Sequence, residues 1–134
     1  MIDKREVFVV MPMSPVDAVP KRAAIAGALK RGGWSARFPS YDPQAPICDL
    51  PETLEQMKEA ALVLADLSQE RPSCYYELGL AEALGRPVYL IAQEGTPLHQ
   101  STLRLQVRFF RDVKHLCEIL EHDFSDCTAG QRAL

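Results

Sequence analysis

Short, mainly apolar segments alternate along the chain with longer segments in which apolar residues recur every three or four positions. The short segments are residues 7–11, 34–38, 62–65 and 88–91, and a fifth lies within 103–110. Short apolar runs bounded by proline, glycine or polar residues are typical of strands that are buried on both faces of a parallel sheet. The pattern therefore predicts five strands.

Four longer segments have the apolar spacing of helices. In the first, Ile25 and Leu29 lie one turn apart among alanines, and Gly32-Gly33 provides a C-terminal stop. In the third, Ser73 follows Pro72 and can act as the N-cap. The predicted helices are residues 21–31, 51–61, 73–85 and 112–120, with a loop at Pro15 and Pro20 and a frayed polar tail from about Asp123.

The alternation of strand and helix constrains the architecture. Consecutive parallel strands need a crossover through a helix, and these crossovers place helices on both faces of the sheet. The 134 residues fit one domain, because domains have about 150 residues. We therefore expect a single α/β domain over residues 1–134, with a flavodoxin-like, five-stranded parallel sheet in the order 2-1-3-4-5.

Composition and charge exclude several classes of protein. With 47% hydrophobic and 25% charged residues the chain is not of the disordered class, and no apolar run approaches the ~20 residues of a membrane-spanning helix. The net charge of −3, without a basic stripe, argues against binding to a nucleic-acid polymer. The charged N-terminal segment is unlike a signal peptide, so we expect a cytoplasmic location.

The cysteines and histidines do not form a metal-binding motif. The cysteines are widely spaced, form no Cys-x-x-Cys pair and accompany only isolated histidines. We expect free thiols, no metal and no resident cofactor. Cys74 has an alternative interpretation, because a position near a helix N-terminus can lower the pKa of a thiol.

The predicted sheet order places a ligand site beyond the carboxyl ends of the first and third strands. Open parallel sheets bind ligands where the strand order reverses, and in this order the reversal lies between those two strands. The start of the third helix lies beside them. The residues expected there are Met11, Pro12, Met13 and Ser14 after the first strand, and Asp66, Leu67 and Ser68 after the third.

Glu77 is the candidate catalytic residue in this region. A helix that begins near Ser73 puts Glu77 in its second turn, where the helix dipole favours the ionised carboxylate by about 0.3–1 kcal/mol. An ionised carboxylate can stabilise or attack the oxocarbenium-like centre of a glycosidic bond. Gly79 is expected to let the helix approach the sheet closely, and Tyr75 and Tyr76 to offer faces for stacking. On spacing alone, an ordinary surface glutamate remains the alternative.

Four segments of the chain together have a recognisable order. They are Val9-Val10-Met11-Pro12-Met13-Ser14, Ala65-Asp66-Leu67-Ser68, Tyr75-Tyr76-Glu77-Leu78-Gly79-Leu80-Ala81 and Leu84-Gly85-Arg86-Pro87-Val88-Tyr89-Leu90-Ile91. In this order they resemble the nucleoside 2-deoxyribosyltransferase superfamily, and most of all its TIR-like, nucleotide-binding branch. The resemblance covers roughly residues 7–91, and it implies a flavodoxin-like fold with a nucleoside or nucleotide ligand.

The resemblance also implies a chemistry. In enzymatic members the matching glutamate, here Glu77, attacks the anomeric carbon, displaces the nucleobase and forms a glycosyl-enzyme ester. Water then completes hydrolysis, or a second base completes transfer. Ser14 and Ser68 would hydrogen-bond sugar hydroxyls or a 5′-phosphate, assisted by the N-terminus of the third helix, and an ordinary loop or capping role is the alternative for each serine. The other expected substrate contacts are Met11, Pro12, Met13, Ser73, Tyr76 and Gly79.

Three departures from the family pattern modify this expectation. Where classical deoxyribosyltransferases carry acidic residues, this chain has Ala61 and Arg71, and it contains no asparagine that could complete a neighbouring subunit's site. Asp66 can replace the missing acid, or alternatively it only caps the loop after its strand. The losses argue against efficient base exchange. They leave room for hydrolysis of a ligand with a better leaving group, such as the cationic nicotinamide of NAD.

We therefore predict an N-glycosidase that cleaves a nucleoside, nucleotide or NAD-type ligand through Glu77, with Asp66 as the second catalytic residue. The alternatives are a nucleotide-binding sensor with little or no turnover and a TIR-like interaction module. Members of the superfamily are commonly dimers or larger, so a homo-oligomer is expected. The apolar stretch 103–110 contributes either an interface or a core strand.

Overall fold

The computed structural model describes residues 3–12, 18–39, 49–98 and 106–125, and strand alternates with helix through most of them. The strands are β1 (Asp3–Val10), β2 (Ser35–Arg37), β3 (Ala60–Asp66), β4 (Val88–Gln93) and β5 (Arg108–Phe110). The helices are α1 (Ala18–Arg31), α2 (Leu50–Glu59), α3 (Pro72–Ala83) and α4 (Val113–Asp123). None of these helices is long and apolar enough to cross a membrane.

The five strands form one parallel sheet in the order β2-β1-β3-β4-β5. This confirms the predicted α/β class and the predicted 2-1-3-4-5 order. The two central strands, β1 and β3, are in register from Val7 opposite Leu62 to Val10 opposite Ala65. Their carboxyl ends therefore lie side by side.

Helices cover both faces of the sheet. Successive side chains of a strand point to opposite faces, so a continuous apolar run presents apolar side chains to both layers of helices. On β1, Val7 and Val9 pack into the layer formed by α1 and α4. Phe8 and Val10 pack into the layer formed by α2 and α3. Burial of both faces explains why β1 from Val7 to Val10 and β3 from Ala60 to Ala65 are apolar at every position rather than at alternate positions.

The helix α1 begins at Ala18, three residues before the predicted start, so the predicted loop at Pro20 is wrong. Pro20 lies in the first turn of the helix. A proline is tolerated there because the backbone N–H groups of the first turn have no partner inside the helix. Pro20 therefore does not mark the N-terminal boundary of α1.

The edge strand β2 is shorter than the sequence pattern predicted, and the edge strand β5 lies within its predicted segment. β2 contains three residues, Ser35–Arg37, and Trp34 and Phe38 flank it. β5 contains three residues, Arg108–Phe110, and residues 99–105 lie outside the described part of the chain. Phe110 is buried, whereas Phe109 is 40% exposed. The core-strand interpretation therefore holds for Phe110, and a role of this stretch in an interface stays a prediction.

The predicted frayed tail from Asp123 is wrong at its first two residues. Asp123 is the last residue of α4 and is buried, where Oδ2 accepts a hydrogen bond from the Tyr89 hydroxyl and pairs with Arg108 Nε at 3.1 Å. Phe124 is also buried, and its ring meets those of Trp34 and Tyr89 edge-on, with centroids 5.4 and 5.1 Å apart. Tertiary contacts hold a segment that its local polarity suggested to be loose.

The C-terminal end of α1 contacts the C-terminal end of α4 at Gly32. A Cβ atom at this position would overlap the backbone carbonyl oxygen of Phe124. The opposing atom belongs to the backbone and cannot rotate away, so the two helix ends can meet only because residue 32 has no side chain.

We expect Gly32→Ala to lower the free energy of unfolding by about 2 kcal/mol or more, since the added carbon forces the two helix ends apart. The matched control is Gly27→Ala in the interior of α1, where a Cβ would meet only the flexible end of Arg31 at 3.3 Å. The control should leave stability unchanged or raise it by up to about 1 kcal/mol. Urea unfolding measures both, and equal effects would contradict the packing argument.

Candidate functional site

The connections that follow β1 and β3 lead to opposite faces of the sheet. After β1 the chain continues into α1, which packs on one face, and after β3 it continues into α3, which packs on the other. The connections diverge there, and in open parallel sheets such a point is the usual ligand site. We take this carboxyl edge as the candidate functional site.

Two of the four residues predicted for the β1 side of this edge are described. Met11 and Pro12 follow β1 directly and are buried, and Met11 belongs to the core layer under α1 and α4. Met13 and Ser14 lie outside the described residues. Ligand contacts by these four residues stay a prediction.

On the β3 side, Asp66 carries a fully buried carboxylate with 0% exposure. Its Oδ2 atom lies 2.8 Å from Nζ of Lys21, a residue of α1 that is itself only 6% exposed. The ammonium of Lys21 also lies 5.6 Å from the centre of the Phe110 ring. Buried charges persist in proteins when they are paired and hydrogen-bonded, and this ion pair meets both conditions.

The second oxygen of Asp66 holds the turn that follows β3. Oδ1 accepts hydrogen bonds from the backbone N of Ser68 at 3.0 Å and from its Oγ at 2.5 Å. Ser68 Oγ accepts in turn from the backbone N of Gln93 at 2.9 Å, and the Ser68 carbonyl accepts from Thr96 Oγ1 at 3.1 Å. These contacts are those of a loop cap, the alternative interpretation of Asp66. Its catalytic role and ligand binding by Ser68 stay predictions.

Glu77 lies in the second turn of α3, on the flank of the helix next to its buried face. The side chain is partly buried and makes no hydrogen bond or ion pair within the described parts of the chain. Burial raises the pKa of Glu77 above its ordinary value of 4.5. The helix dipole predicted the opposite direction. The dipole acts mainly within the first turn, so the loss of water around the carboxylate outweighs it here.

The Cys74 thiol is buried in the first turn of α3, within the electrostatic reach of both carboxylates. Burial, followed by the charges of Glu77 and Asp66, raises the pKa of Cys74 from 9.0 to about 12. The predicted lowering of its pKa is therefore wrong. Cys74 thus has both carboxylates as electrostatic neighbours, and we group it with them.

We call this group the carboxyl-edge cluster; it comprises Lys21, Asp66, Ser68, Cys74 and Glu77. Helix α1 contributes the lysine, the end of β3 and its turn contribute the aspartate and the serine, and α3 contributes the thiol and the glutamate. Within the described residues, no three His, Cys, Asp or Glu side chains are grouped so that they could hold a metal ion.

The start of α3 differs from the prediction by one residue in a way that changes the role of Ser73. Pro72 occupies the first helical position, and Arg71 is the N-cap, without a capping hydrogen bond from its side chain. Proline suits this position because its φ is already helical and it has no N–H to satisfy. Ser73 is consequently an exposed residue of the first turn, and the predicted N-cap role is wrong.

Tyr76 and Gly79 lie away from the flank of α3 that carries Glu77. Successive helical residues are about 100° apart, so these two positions lie about 100° and 200° around the helix from Glu77. Tyr76 is 52% exposed. A Cβ atom on Gly79 would meet no described atom within 4 Å outside its own helix, so the predicted close approach is wrong. Ligand contacts by Tyr76 and Gly79 stay predictions.

Lys21 is not among the residues predicted for this edge, although the sequence contains a signal for it. Lys21 precedes Ile25, Ala28 and Leu29 by four, seven and eight residues, which is the spacing of the buried face of a helix. A lysine at a position where the period demands an apolar residue needs a buried anionic partner. Asp66, at the end of an otherwise apolar strand, was the corresponding signal on the other side.

Solved structures with this architecture include two proteins that act on nucleosides or nucleotides by name. The CMP N-glycosidase BcmB of Clostridium botulinum matches with a TM-score of 0.59 and 17% sequence identity, over 87% of this chain and 98% of that one. A 2-deoxyribosyltransferase of Leishmania mexicana matches with a TM-score of 0.59 and 16% identity, over 88% of this chain and 98% of that one. This chain has the nucleoside 2-deoxyribosyltransferase-like fold.

The likeness in fold is not accompanied by a match in sequence. No protein-family model and no curated protein matches the chain. The structural match establishes the nucleoside 2-deoxyribosyltransferase-like fold. Because the sequence identities are only 17% and 16%, the TIR-like branch stays a prediction.

We expect Glu77→Gln to stabilise the protein at neutral pH, because the neutral amide carries no charge to be kept from water. A raised folded-state pKa means that the folded protein binds the proton more tightly than the unfolded chain. Wild-type stability therefore falls as the pH rises from about 4.5 through that pKa, and the variant lacks this decrease. Urea unfolding at several pH values measures the difference. Glu118→Gln, on the exposed face of α4, is the control and should change stability by less than about 0.5 kcal/mol.

Proposed function

We propose that this protein is an N-glycosidase that cleaves the base from a nucleoside, a nucleotide or an NAD-type ligand, with Glu77 as the nucleophile. The observation that carries the proposal is the environment of Glu77. Its carboxylate is partly buried at the carboxyl edge, with a raised pKa and no hydrogen-bond partner in the described residues. A carboxylate held there at the expense of its hydration is suited to react with a substrate.

The proposed reaction has two displacement steps. Glu77 attacks the anomeric carbon while the bond from that carbon to the base nitrogen breaks, and the base leaves with the bonding electron pair. A water molecule then attacks the same carbon and breaks the glycosyl–Glu77 ester. The free sugar keeps the hydroxyl of the water, and the remaining proton is released. Partial removal of water from Glu77 favours the first step, because it destabilises the free carboxylate relative to the ester.

The names of the two similar structures described above support the reaction class. One is named a CMP N-glycosidase and the other a 2-deoxyribosyltransferase. The proposed site of this chain lies at the carboxyl edge of the same fold. Substrate specificity is not carried over from either protein, because their sequence identities to this chain are 17% and 16%.

Hydrolysis of a ligand with a good leaving group fits the residues better than base exchange. Ala61 lies in β3 and packs against the core, and Arg71 is the exposed N-cap of α3, so neither position can protonate a departing base. The second carboxylate of the cluster, Asp66, is occupied by Lys21 and Ser68. We therefore favour a base that leaves without prior protonation, such as a cationic nicotinamide.

A nucleotide sensor is the second candidate function. The same lack of an available acid favours it, since a ligand that needs protonation to depart would be bound and not cleaved. In a sensor, Glu77→Gln would leave ligand affinity unchanged. A TIR-like interaction module, a homo-oligomeric state and a cytoplasmic location stay predictions that accompany either function.

The first test is release of free base. We expect the wild type to release base from at least one member of a panel of ribonucleosides, deoxyribonucleosides, their monophosphates and NAD, followed by chromatography. Glu77→Gln should reduce the rate by about 1,000-fold or more, because an amide cannot form the ester. Glu118→Gln should retain the wild-type rate. A fully active Glu77→Gln variant would exclude the mechanism, and binding without release by the wild type would favour the sensor.

The pH dependence of base release tests the role of Glu77 separately. A nucleophile must be ionised, so kcat/KM should fall as the pH drops through the raised pKa of Glu77, with a midpoint above 4.5. A carboxyl group that donated a proton to the base would produce the opposite slope. Initial rates between pH 4 and pH 9 decide between the two roles. A rate that rises toward low pH would contradict the nucleophile assignment.

A further inference from the structure

We propose that Lys21 is a positioning residue of the carboxyl-edge cluster. Its buried ammonium fixes the carboxylate of Asp66, Asp66 fixes the turn at Ser68, and that turn sets the start of α3 and with it the position of Glu77. The activity readout of this proposal rests on the proposed glycosidase function. A second readout, amide hydrogen exchange, needs no ligand.

Lys21 connects the two helical layers through its ion pair with Asp66. Lys21 lies in the first turn and a half of α1, which covers one face of the sheet. Its partner Asp66 leads into α3, which covers the other face. The 2.8 Å contact between Nζ and Oδ2 therefore joins the two connections that diverge at the candidate site. The Phe110 ring, 5.6 Å away, gives the ammonium a second favourable neighbour.

The two carboxylate oxygens of Asp66 have different partners. Oδ2 faces Lys21, and Oδ1 accepts both hydrogen bonds from Ser68. A carboxylate is planar, so an ammonium that holds one oxygen also fixes the direction of the other. Loss of Lys21 would leave a buried charge without its counter-ion, which a protein relieves by rotating the side chain or admitting water. Either response would break the contacts of Asp66 with Ser68.

Hydrogen bonds connect the turn at Ser68 to the start of α3, the helix that carries Glu77. The turn is closed by a hydrogen bond from the backbone N of Glu70 to the carbonyl of Leu67 at 3.0 Å. The Tyr75 hydroxyl, on α3, donates to Oε1 of Glu70 at 3.0 Å. The turn and the first helical turn thus form one hydrogen-bonded unit, and Glu77 is the next residue but one after Tyr75. A displacement at Ser68 is therefore transmitted to Glu77.

Lys21 acts through Asp66 and does not itself belong to the reacting groups. Lys21 is 6% exposed, and its ammonium is occupied by Asp66 and the Phe110 ring. We therefore expect its removal to affect the rate of the chemical step and to change ligand affinity much less. A residue that contacted the ligand directly would show a change in KM as well.

The experiment compares Lys21→Met with Lys30→Met, an exposed lysine of the same helix. The substrate is the member of the nucleoside, nucleotide and NAD panel that the wild type cleaves fastest. Lys21→Met should lower kcat at least tenfold and change KM less than threefold, whereas Lys30→Met should match the wild type. The double variant Lys21→Met/Asp66→Leu removes both charges, leaves no unpaired ion and takes away the acceptor of the two Ser68 hydrogen bonds, so it remains suitable if the single variant does not fold. It should have the same low kcat.

Amide hydrogen exchange of the full chain without ligand gives the independent readout. The amides of Ser68 and Gln93 donate to Asp66 and Ser68, and their exchange should accelerate at least tenfold in Lys21→Met. The amide of Phe124, bonded to Leu120 in α4, should not change. Uniform acceleration would show general destabilisation and would overturn the proposal, as would unchanged exchange or a wild-type kcat. If the wild type cleaves no panel member, the proposed function fails, and exchange alone decides whether Lys21 holds the turn.

Discussion

The geometry of the candidate site depends on a buried ion pair between residues 45 positions apart in the sequence, Lys21 and Asp66. Neither charge can be buried alone, so the start of α1 and the end of β3 must meet. The same carboxylate holds Ser68, and Ser68 receives the backbone N–H of Gln93 at the end of β4. One electrostatic requirement therefore fixes three connections at the edge of the sheet where open parallel folds bind ligands.

The two carboxylates of the cluster have opposite environments, and this difference separates their roles. Asp66 is fully buried and has a partner for each oxygen, whereas Glu77 is partly buried without a partner in the described residues. The partners of Asp66 hold its carboxylate in place, whereas burial without partners raises the pKa of Glu77, in accord with the nucleophilic role proposed for it. A protein that keeps such a residue accepts lower stability at neutral pH, which is characteristic of functional sites.

The segments that resemble the deoxyribosyltransferase superfamily divide between the two ends of the sheet. The segment with Glu77 lies at the carboxyl edge, whereas Arg86 and Pro87 lie at the amino edge. There Arg86 Nη2 donates to the carbonyl of Ala60 at 2.6 Å, and the carbonyl of Pro87 accepts from the backbone N of Val63 at 2.9 Å. The Gly-Arg-Pro segment is thus explained by contacts at the start of β3 and β4, whereas the segment with Glu77 is the one that bears on the proposed chemistry.

The sequence by itself determined the α/β class, the strand order and the carboxyl edge, because apolar periodicity and the order of elements are local properties that permit few topologies. It also predicted that Glu77 lies in the second turn of the third helix, where the structure places it. Only the tertiary structure decided that Lys21 is buried, that Cys74 has a raised pKa, that Gly79 has open space around it and that Phe124 belongs to the core. Each of these depends on which distant residue lies opposite. Packing decides that, and it overrides local signals such as a helix dipole, a polar tail or a charged side chain in a helix.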